Sequence, residues 1–153
     1  MVHKLITTED GSHSLYVEEL NERYHSIHGA IQESKHVFIE AGLKQIASAP
    51  NFKIEKDKIA ILEIGLGTGL NALLTMIETQ QLELAIDYTA LEAYPVSTDL
   101  IKVLNYTDLL ISSTHSKIML QQFFDGIHLS EWCSTTEISE KFKLNKIKHT
   151  LQE

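Results

Sequence analysis

A short apolar segment that ends in alternating glycines limits the fold more than any other feature of the chain. Residues 59–64 are nearly all apolar, and glycines follow at positions 65, 67 and 69. Leucines and an isoleucine at helical spacing then occupy residues 70–79, and a second apolar segment covers residues 84–91. This order of strand, glycine turn, helix and strand predicts an α/β fold with a parallel sheet. We expect strand 59–64 to be buried on both faces of that sheet.

The remaining segments predict further elements of one continuous domain. An Asp-Gly pair at residues 10–11 favours a tight turn between strands 3–7 and 13–18. Apolar residues at helical spacing predict an amphipathic helix from 30 to 46, ended by Ala-Pro-Asn at 49–51. Two further helices are predicted near 97–104 and 116–124, and another strand or hairpin over 138–151.

Composition and charge narrow the possible functions. The chain has 153 residues, of which 43% are hydrophobic and 22% charged, as in an ordinary globular domain. The N-terminus lacks the apolar core of a signal peptide, and no apolar run reaches membrane-spanning length, so we expect a soluble cytoplasmic protein. The net charge of −8 disfavours a nucleic-acid partner. The basic residues concentrate near the C-terminus, where we expect a solvated strand face: Lys141, Lys143, Lys146, Lys148 and His149.

The glycine turn carries the strongest chemical signal. Glu63 stands two positions before the first glycine, where a carboxylate disfavours a pyrophosphate but can pair with the ammonium group of an amino acid. The glycines form G-x-G-x-G, whereas dinucleotide-binding turns have G-x-G-x-x-G. Glu92 ends the next predicted strand, where its carboxylate can accept hydrogen bonds from both ribose hydroxyls. These features favour S-adenosylmethionine over NAD, and no P-loop sequence follows the glycines.

Two Glu-x-x-His pairs in the N-terminal third offer a weaker alternative, a metal-binding module. Glu22 with His25, and Glu33 with His36, have the spacing that di-iron helix bundles use. Such a site needs two more carboxylates on other helices, and Gly29 interrupts a continuous helix. We therefore expect no metal. No nucleophile-elbow sequence surrounds any serine, which excludes the usual covalent hydrolase pattern.

Four segments together resemble the MnmD methyltransferase family, which is similar to the N-terminal domain of bifunctional MnmC. They are DGSHSLY at 10–16, ELNERYHSIHGA at 19–30, ESKHVFI at 33–39 and EIGLGTGLNALLT at 63–75. The resemblance spans most of residues 4 to 95. It implies a Rossmann-like class I S-adenosylmethionine-dependent methyltransferase fold. It also implies methyl transfer to the 5-aminomethyl nitrogen of 2-thiouridine at the wobble position of tRNA.

The resemblance also assigns site residues. Tyr24, Ser26 and Glu33 match the opening motif of the family and are expected to help close the pocket. No metal or membrane is implied, and tRNA is the implied substrate. The residues expected to line the S-adenosylmethionine site are Glu63, Gly65, Gly67, Thr68, Gly69, Asn71 and Glu92.

One departure from the family concerns catalysis. Family members continue with further strands and an Asp-Ala-Phe-x-Pro motif whose aspartate lies at the active site, and this sequence contains no such motif. We therefore expect residues 1–153 to form a single Rossmann-like domain that is incomplete at its C-terminal side. Residues 1–58 would supply the N-terminal hairpin and helix, and 59–153 the first part of the sheet. No catalytic residue is assigned, and a non-catalytic S-adenosylmethionine-binding remnant remains the alternative function.

Overall fold

The structure, a computed structural model, describes residues 2–150. It begins with a small antiparallel sheet in which β1 (His3–Thr7) pairs with β2 (His13–Val17), and β2 pairs with the short β3 (Glu22–Arg23). The predicted hairpin is thereby confirmed. Gly11 in its turn has a φ of 83°, a left-handed conformation that glycine adopts without steric cost.

The predicted amphipathic helix is confirmed in extent but differs in geometry. It consists of α1 (Ala30–Ser34), a π-helical segment (Lys35–Leu43) and α2 (Lys44–Ala47), which follow one another without a break. The buried side chains in this stretch include Ile31, Ile39 and Leu43, which join the main hydrophobic core. The helix therefore connects the N-terminal sheet to the rest of the molecule.

The second sheet has four strands in the order β4-β5-β7-β6, of which the first three run parallel and β6 is antiparallel to β7. This confirms the predicted α/β class, and the C-terminal segment is the predicted hairpin. In chain order the elements are β4 (Lys58–Ile64), α3 (Leu70–Leu82), β5 (Ala85–Glu92), α4 (Thr98–Lys102), α5 (Tyr106–Leu109), α6 (Lys117–Leu129), β6 (Ser134–Ser139) and β7 (Phe142–Lys148).

The core lies where the sheet meets the helices. Alternate side chains of β5 and β7 are buried, as the two-residue period of a strand requires, and they join one cluster with α3 and α6. The ring of Tyr88 lies between Phe142 and Phe38, at centroid distances of 5.6 and 6.4 Å. This aromatic packing joins β5 to β7 and to the π-helical segment.

The expectation that strand 59–64 is buried on both faces is wrong. Within residues 2–150, β4 is an edge strand of its sheet, and only one of its faces is covered. Leu62 and Ile64 on the other face are 66% and 52% exposed. An apolar run of this length does not distinguish an edge strand from a central one, because both need apolar residues on the face toward the core.

The basic C-terminal segment follows the expectation except at one position. Lys141 pairs with Glu83 at 3.9 Å and Lys143 with Glu137 at 3.2 Å, both on the surface. Lys146, by contrast, is 1% exposed, so the expected solvated face is wrong for this residue. Strand alternation places it on the same face as the buried Phe142 and Leu144. In the part of the chain that the structure describes, no helix is long and apolar enough to cross a membrane.

Candidate ligand site at the glycine loop

The glycine loop, residues 65–69, joins the carboxyl end of β4 to the start of α3, as predicted. The Gly65 N–H donates to the Leu91 carbonyl at 2.7 Å, and the Gly67 N–H donates to Glu92 Oε2 at 3.0 Å. The loop is therefore tied to the end of β5, the neighbouring parallel strand. Clefts at the carboxyl ends of parallel strands are the usual ligand sites of open α/β sheets.

Two loop positions require glycine for a physical reason. Gly67 has a φ of 54°, and a Cβ there would lie 2.9 Å from the ring of Tyr24. Gly69 has a φ of 75°, and a Cβ there would lie 2.7 Å from Nε2 of His128. A larger residue would have to displace a ring in addition to paying the steric cost of the left-handed backbone. The loop is thus enclosed by rings from two distant parts of the chain.

Glu63 holds a buried carboxyl directly before the loop. It is 8% exposed, accepts a hydrogen bond from the Tyr88 hydroxyl at 2.7 Å and accepts another from Asn71 Nδ2 at 2.9 Å. Burial raises the pKa of Glu63 from its ordinary value of 4.5 to about 7, the two hydrogen bonds oppose this rise, and the charge of Glu92 adds to it. A cationic ligand group beside Glu63 would restore its ionised form.

Asn71 adds a second acceptor at the same place. Its Oδ1 is buried and has no hydrogen-bond partner among the described residues, while its Nδ2 is committed to Glu63. A buried amide oxygen without a partner is costly and uncommon in folded proteins. Asn71 and Glu63 both line a cavity of about 480 Å³ beside the glycine loop, which we call the glycine-loop cavity. The cavity therefore presents two acceptors that a ligand with N–H donors could satisfy.

Glu92 lies on the other side of the loop, at the end of β5. Its two carboxylate oxygens accept from the Gly67 N–H at 3.0 Å and the Tyr94 N–H at 2.8 Å, and the residue is 9% exposed. Each oxygen retains a lone pair for a further donor. Glu92 lines a second, smaller cavity of about 100 Å³, which we call the Trp132 cavity. Its remaining walls are formed by Leu66, Gly67, Pro95, Val96, Thr98, Ile101, His128, Leu129, Trp132 and Lys146.

Two residues that the sequence did not single out hold the loop from behind. Tyr106 is within 3.1 Å of the Thr68 hydroxyl, and its own hydroxyl donates to the His13 carbonyl at 2.8 Å. The His128 ring donates from Nε2 to the Thr68 carbonyl at 3.0 Å, and burial lowers the pKa of His128 to about 4. No sequence motif marks either residue, because both act through contacts that only the fold creates. Thr68 is 1% exposed and is held by these contacts.

The three residues predicted to close the pocket lie at different depths. Tyr24 packs against Gly67 and lines the glycine-loop cavity, and its hydroxyl is hydrogen-bonded to Nε2 of His3 at 2.9 Å. Glu33 lines the same cavity and accepts a hydrogen bond from the Ser26 N–H at 2.8 Å. Ser26 lines a neighbouring, more open depression instead. That these residues close over a ligand stays a prediction.

The Glu-x-x-His residues do not form a metal centre in the described part of the chain. Among residues 2–150, no group of three or more His, Cys, Asp or Glu side chains is placed to hold a metal ion. The His25 ring is instead bonded to the Ser14 hydroxyl at 3.0 Å, and it lines the glycine-loop cavity. The geometry gives the metal-binding alternative no support.

Comparisons with known proteins bear on the fold. The sequence matches no protein-family model, and no curated protein matches it significantly. The structure is similar to the crystal structure of MnmC2 from Aquifex aeolicus, with a TM-score of 0.67 and 18% sequence identity. The similarity covers 99% of this chain but 43% of the MnmC2 chain, so the chain spans less than half the length of that protein. At this level of identity the likeness concerns the fold, and it identifies the chain as having an MnmC2-like α/β fold.

Proposed function

We propose that this chain binds S-adenosylmethionine and serves methyl transfer to the 5-aminomethyl nitrogen of 2-thiouridine at the tRNA wobble position. The MnmC2-like fold supports the relation to a tRNA-modifying enzyme. The sequence resemblance to the MnmD family supports the choice of cofactor and acceptor.

The observation that carries the proposal is the pair of acceptors beside the glycine loop. Glu63 supplies a buried carboxyl, and the Asn71 Oδ1 beside it lacks a partner among the described residues. The α-ammonium group of S-adenosylmethionine has N–H donors and a positive charge, so it satisfies both acceptors. A dinucleotide pyrophosphate would bring negative charge to the same place and be repelled.

Glu92 fits the middle of the same ligand. Its carboxylate lies across the glycine loop from Glu63, at the end of the adjacent parallel strand. A carboxylate in this position can accept hydrogen bonds from both ribose hydroxyls. The base attached to that ribose would then enter the adjoining Trp132 cavity.

The chemistry is supplied by the cofactor, whose sulfonium carries the transferable methyl group. The residues of this chain would bind and orient the cofactor: Glu63 and Asn71 would hold its amino-acid end, and Glu92 would hold its ribose. Tyr24, packed against Gly67, covers the loop from the N-terminal side. Alignment of the reacting groups is the main requirement of a methyl transfer. We assign no proton acceptor to this chain.

Calorimetric titration with S-adenosylmethionine tests the proposal, with NADH as the control ligand. We expect binding of S-adenosylmethionine and none of NADH. Glu63→Gln should weaken binding at least about tenfold, since a hydrogen bond to a charged group is worth about 1.5–3 kcal/mol. Asp87→Asn is the matched control, because it removes the same charge from a surface ion pair with Lys58. A chain shown to be folded by circular dichroism that binds no S-adenosylmethionine would contradict the proposal.

A second candidate function is S-adenosylmethionine binding without turnover. The glycine-loop cavity favours it, because two of its wall residues, Leu62 and Ile64, are largely exposed to water. Incubation with tRNA containing 5-aminomethyl-2-thiouridine and methyl-labelled cofactor separates the two. Incorporation of label rules out the second candidate, whereas binding without incorporation supports it.

A further inference from the structure

Lys146 is an unusual residue for the interior of this fold. Its side chain is 1% exposed on the core face of β7, where Phe142 and Leu144 precede it. Lysine is almost never fully buried without a partner, because removing its charge from water is costly. The position pairs in register with Ala90 of β5, whose small side chain leaves room for it.

Only part of the bonding capacity of Lys146 is used within the chain. Its Nζ donates to the His128 carbonyl at 3.2 Å, near the C-terminal end of α6, where the helix dipole favours a cation. The ammonium also lies 4.7 Å from the centre of the Trp132 ring. An ammonium has three N–H donors, and the described residues supply a hydrogen-bond acceptor for one.

Lys146 is one of the residues that line the Trp132 cavity. This cavity adjoins Glu92, and its walls combine apolar side chains such as Pro95, Val96 and Ile101 with the Trp132 ring. Apolar walls, one aromatic ring and a few hydrogen-bond donors, among them Lys146 and the Thr98 hydroxyl, suit a nucleobase. His128 also borders the cavity, but its low pKa leaves it uncharged at neutral pH, so Lys146 is the cation that a base would meet there among the described residues.

We propose that Lys146 is a specificity-determining residue for the base of the cofactor, donating a hydrogen bond to a ring nitrogen of adenine while Trp132 contacts the base. The inference rests on the proposed function, which places the ribose at Glu92. Adenine carries three unprotonated ring nitrogens outside the glycosidic bond, at N1, N3 and N7. A base with an N–H at the contacted edge would meet the ammonium donor to donor and bind poorly.

The chain carries its own probe for this contact, since Trp132 is its single tryptophan. Titration with S-adenosylhomocysteine should change Trp132 fluorescence, and methionine alone should not. Lys146→Met should weaken S-adenosylhomocysteine binding about tenfold to a hundredfold, as expected for a hydrogen bond to a charged donor. Lys143→Met is the matched control on the opposite face of β7, where Lys143 pairs with Glu137, and it should leave the affinity unchanged.

The 1-deaza, 3-deaza and 7-deaza forms of S-adenosylhomocysteine identify the nitrogen. One of them should lose affinity for the wild-type chain by the same factor as Lys146→Met, and should lose nothing further in that variant. If all three bind as tightly as the parent compound, the inference is overturned. The affinities of the three analogues for the wild-type chain can be measured without the variant, so this outcome stays available even if Lys146→Met fails to fold.

Calorimetry in parallel separates this inference from the proposed function. S-adenosylhomocysteine binding with unchanged Trp132 fluorescence and an unaffected Lys146→Met variant would overturn the role of Lys146 and leave the proposed function intact. A folded chain that releases no heat with either S-adenosylmethionine or S-adenosylhomocysteine would refute both.

Discussion

Replacing Glu63 with glutamine should raise the free energy of unfolding of the chain and lower its affinity for the ligand. The pKa of Glu63 is raised from 4.5 to about 7, chiefly by burial, so the folded chain holds this proton more tightly than the unfolded chain does. Between pH 4.5 and 7 the folded state therefore binds more protons, and the contribution of Glu63 to stability falls as the pH rises. Above pH 7 the ionised carboxylate costs the fold about 3 kcal/mol, from 1.36 kcal/mol for each pKa unit.

Glutamine can enter this site with no more unsatisfied polar atoms than glutamate leaves there. Its carbonyl oxygen can accept from the Tyr88 hydroxyl, which now donates to Glu63 at 2.7 Å. If the Asn71 amide turns over, its Oδ1 accepts from the new side-chain amide, and its Nδ2 replaces Oδ1 in the position that has no partner among the described residues. We therefore expect the free energy of unfolding of Glu63→Gln to exceed that of the wild type by up to about 3 kcal/mol at pH 8. Near pH 4.5 the difference should vanish.

Urea unfolding at a series of pH values measures this difference directly. Asp87→Asn serves as the control, because Asp87 is an exposed partner of Lys58 and its replacement should change stability little at any pH. A Glu63→Gln chain that is less stable than the wild type at pH 8 would refute the reasoning. So would a difference that does not depend on pH.

The same carboxyl should make ligand binding depend on pH. An ammonium group needs the ionised form of Glu63, so the affinity for S-adenosylmethionine should fall about tenfold for each pH unit below about 7. Above about pH 8 the α-amino group of the ligand itself loses its proton, and the affinity should fall again. Calorimetry across this range checks both limbs, and a flat profile below pH 7 would show that Glu63 does not meet the ammonium.

Three further predictions concern other parts of the structure. Gly67→Ala should lower the free energy of unfolding by about 1–2 kcal/mol because of the left-handed backbone at this position, and the clash with the Tyr24 ring should lower it further. Urea unfolding should show that this further loss disappears when Tyr24→Ala is also present. Asn105→Ala should cost about 1–3 kcal/mol, because its side chain bonds the His13 N–H and the Gly11 carbonyl, both at 2.9 Å; hydrogen exchange should then quicken in β2. Burial lowers the pKa of Lys146 to about 8 from 10.5, so the unfolded chain binds this proton more tightly than the folded chain does. The free energy of unfolding of the wild type should therefore rise relative to that of Lys146→Met between pH 8 and 10.5. If urea unfolding gives both chains the same dependence of stability on pH over that range, the prediction is contradicted.

The local elements could be predicted from the sequence because each rests on neighbours in the chain. The hairpin follows from Asp10-Gly11, and the turn between β4 and α3 from the glycines at 65, 67 and 69. The π-helical segment Lys35–Leu43 could not be predicted, since its apolar residues recur at a spacing that an ordinary α-helix also satisfies. Element boundaries also shifted, as in α6, which continues to Leu129.

The parts of the site that depend on long-range contacts could not be predicted from the sequence. The positions of Glu63 and Glu92 beside the glycine loop could be predicted, because both residues stand at the ends of strands that flank the glycines in the sequence. His128 and Tyr106 reach the loop across 60 and 38 residues, and no motif links them to it. The sequence predicts Lys146 to be one of a run of surface lysines, because strand alternation shows which lysine is buried only once the register with Ala90 is known.

Tyr88 links the stability of the core to the ligand site. Its ring is part of the core between Phe38 and Phe142, and its hydroxyl holds the Glu63 carboxyl. Any repacking of that aromatic layer, even far from the glycine loop, would move the hydroxyl and change the acidity of Glu63. Substitutions in this aromatic layer that raise thermal stability would therefore also change ligand affinity. Variants stabilised through this layer should be screened for loss of binding.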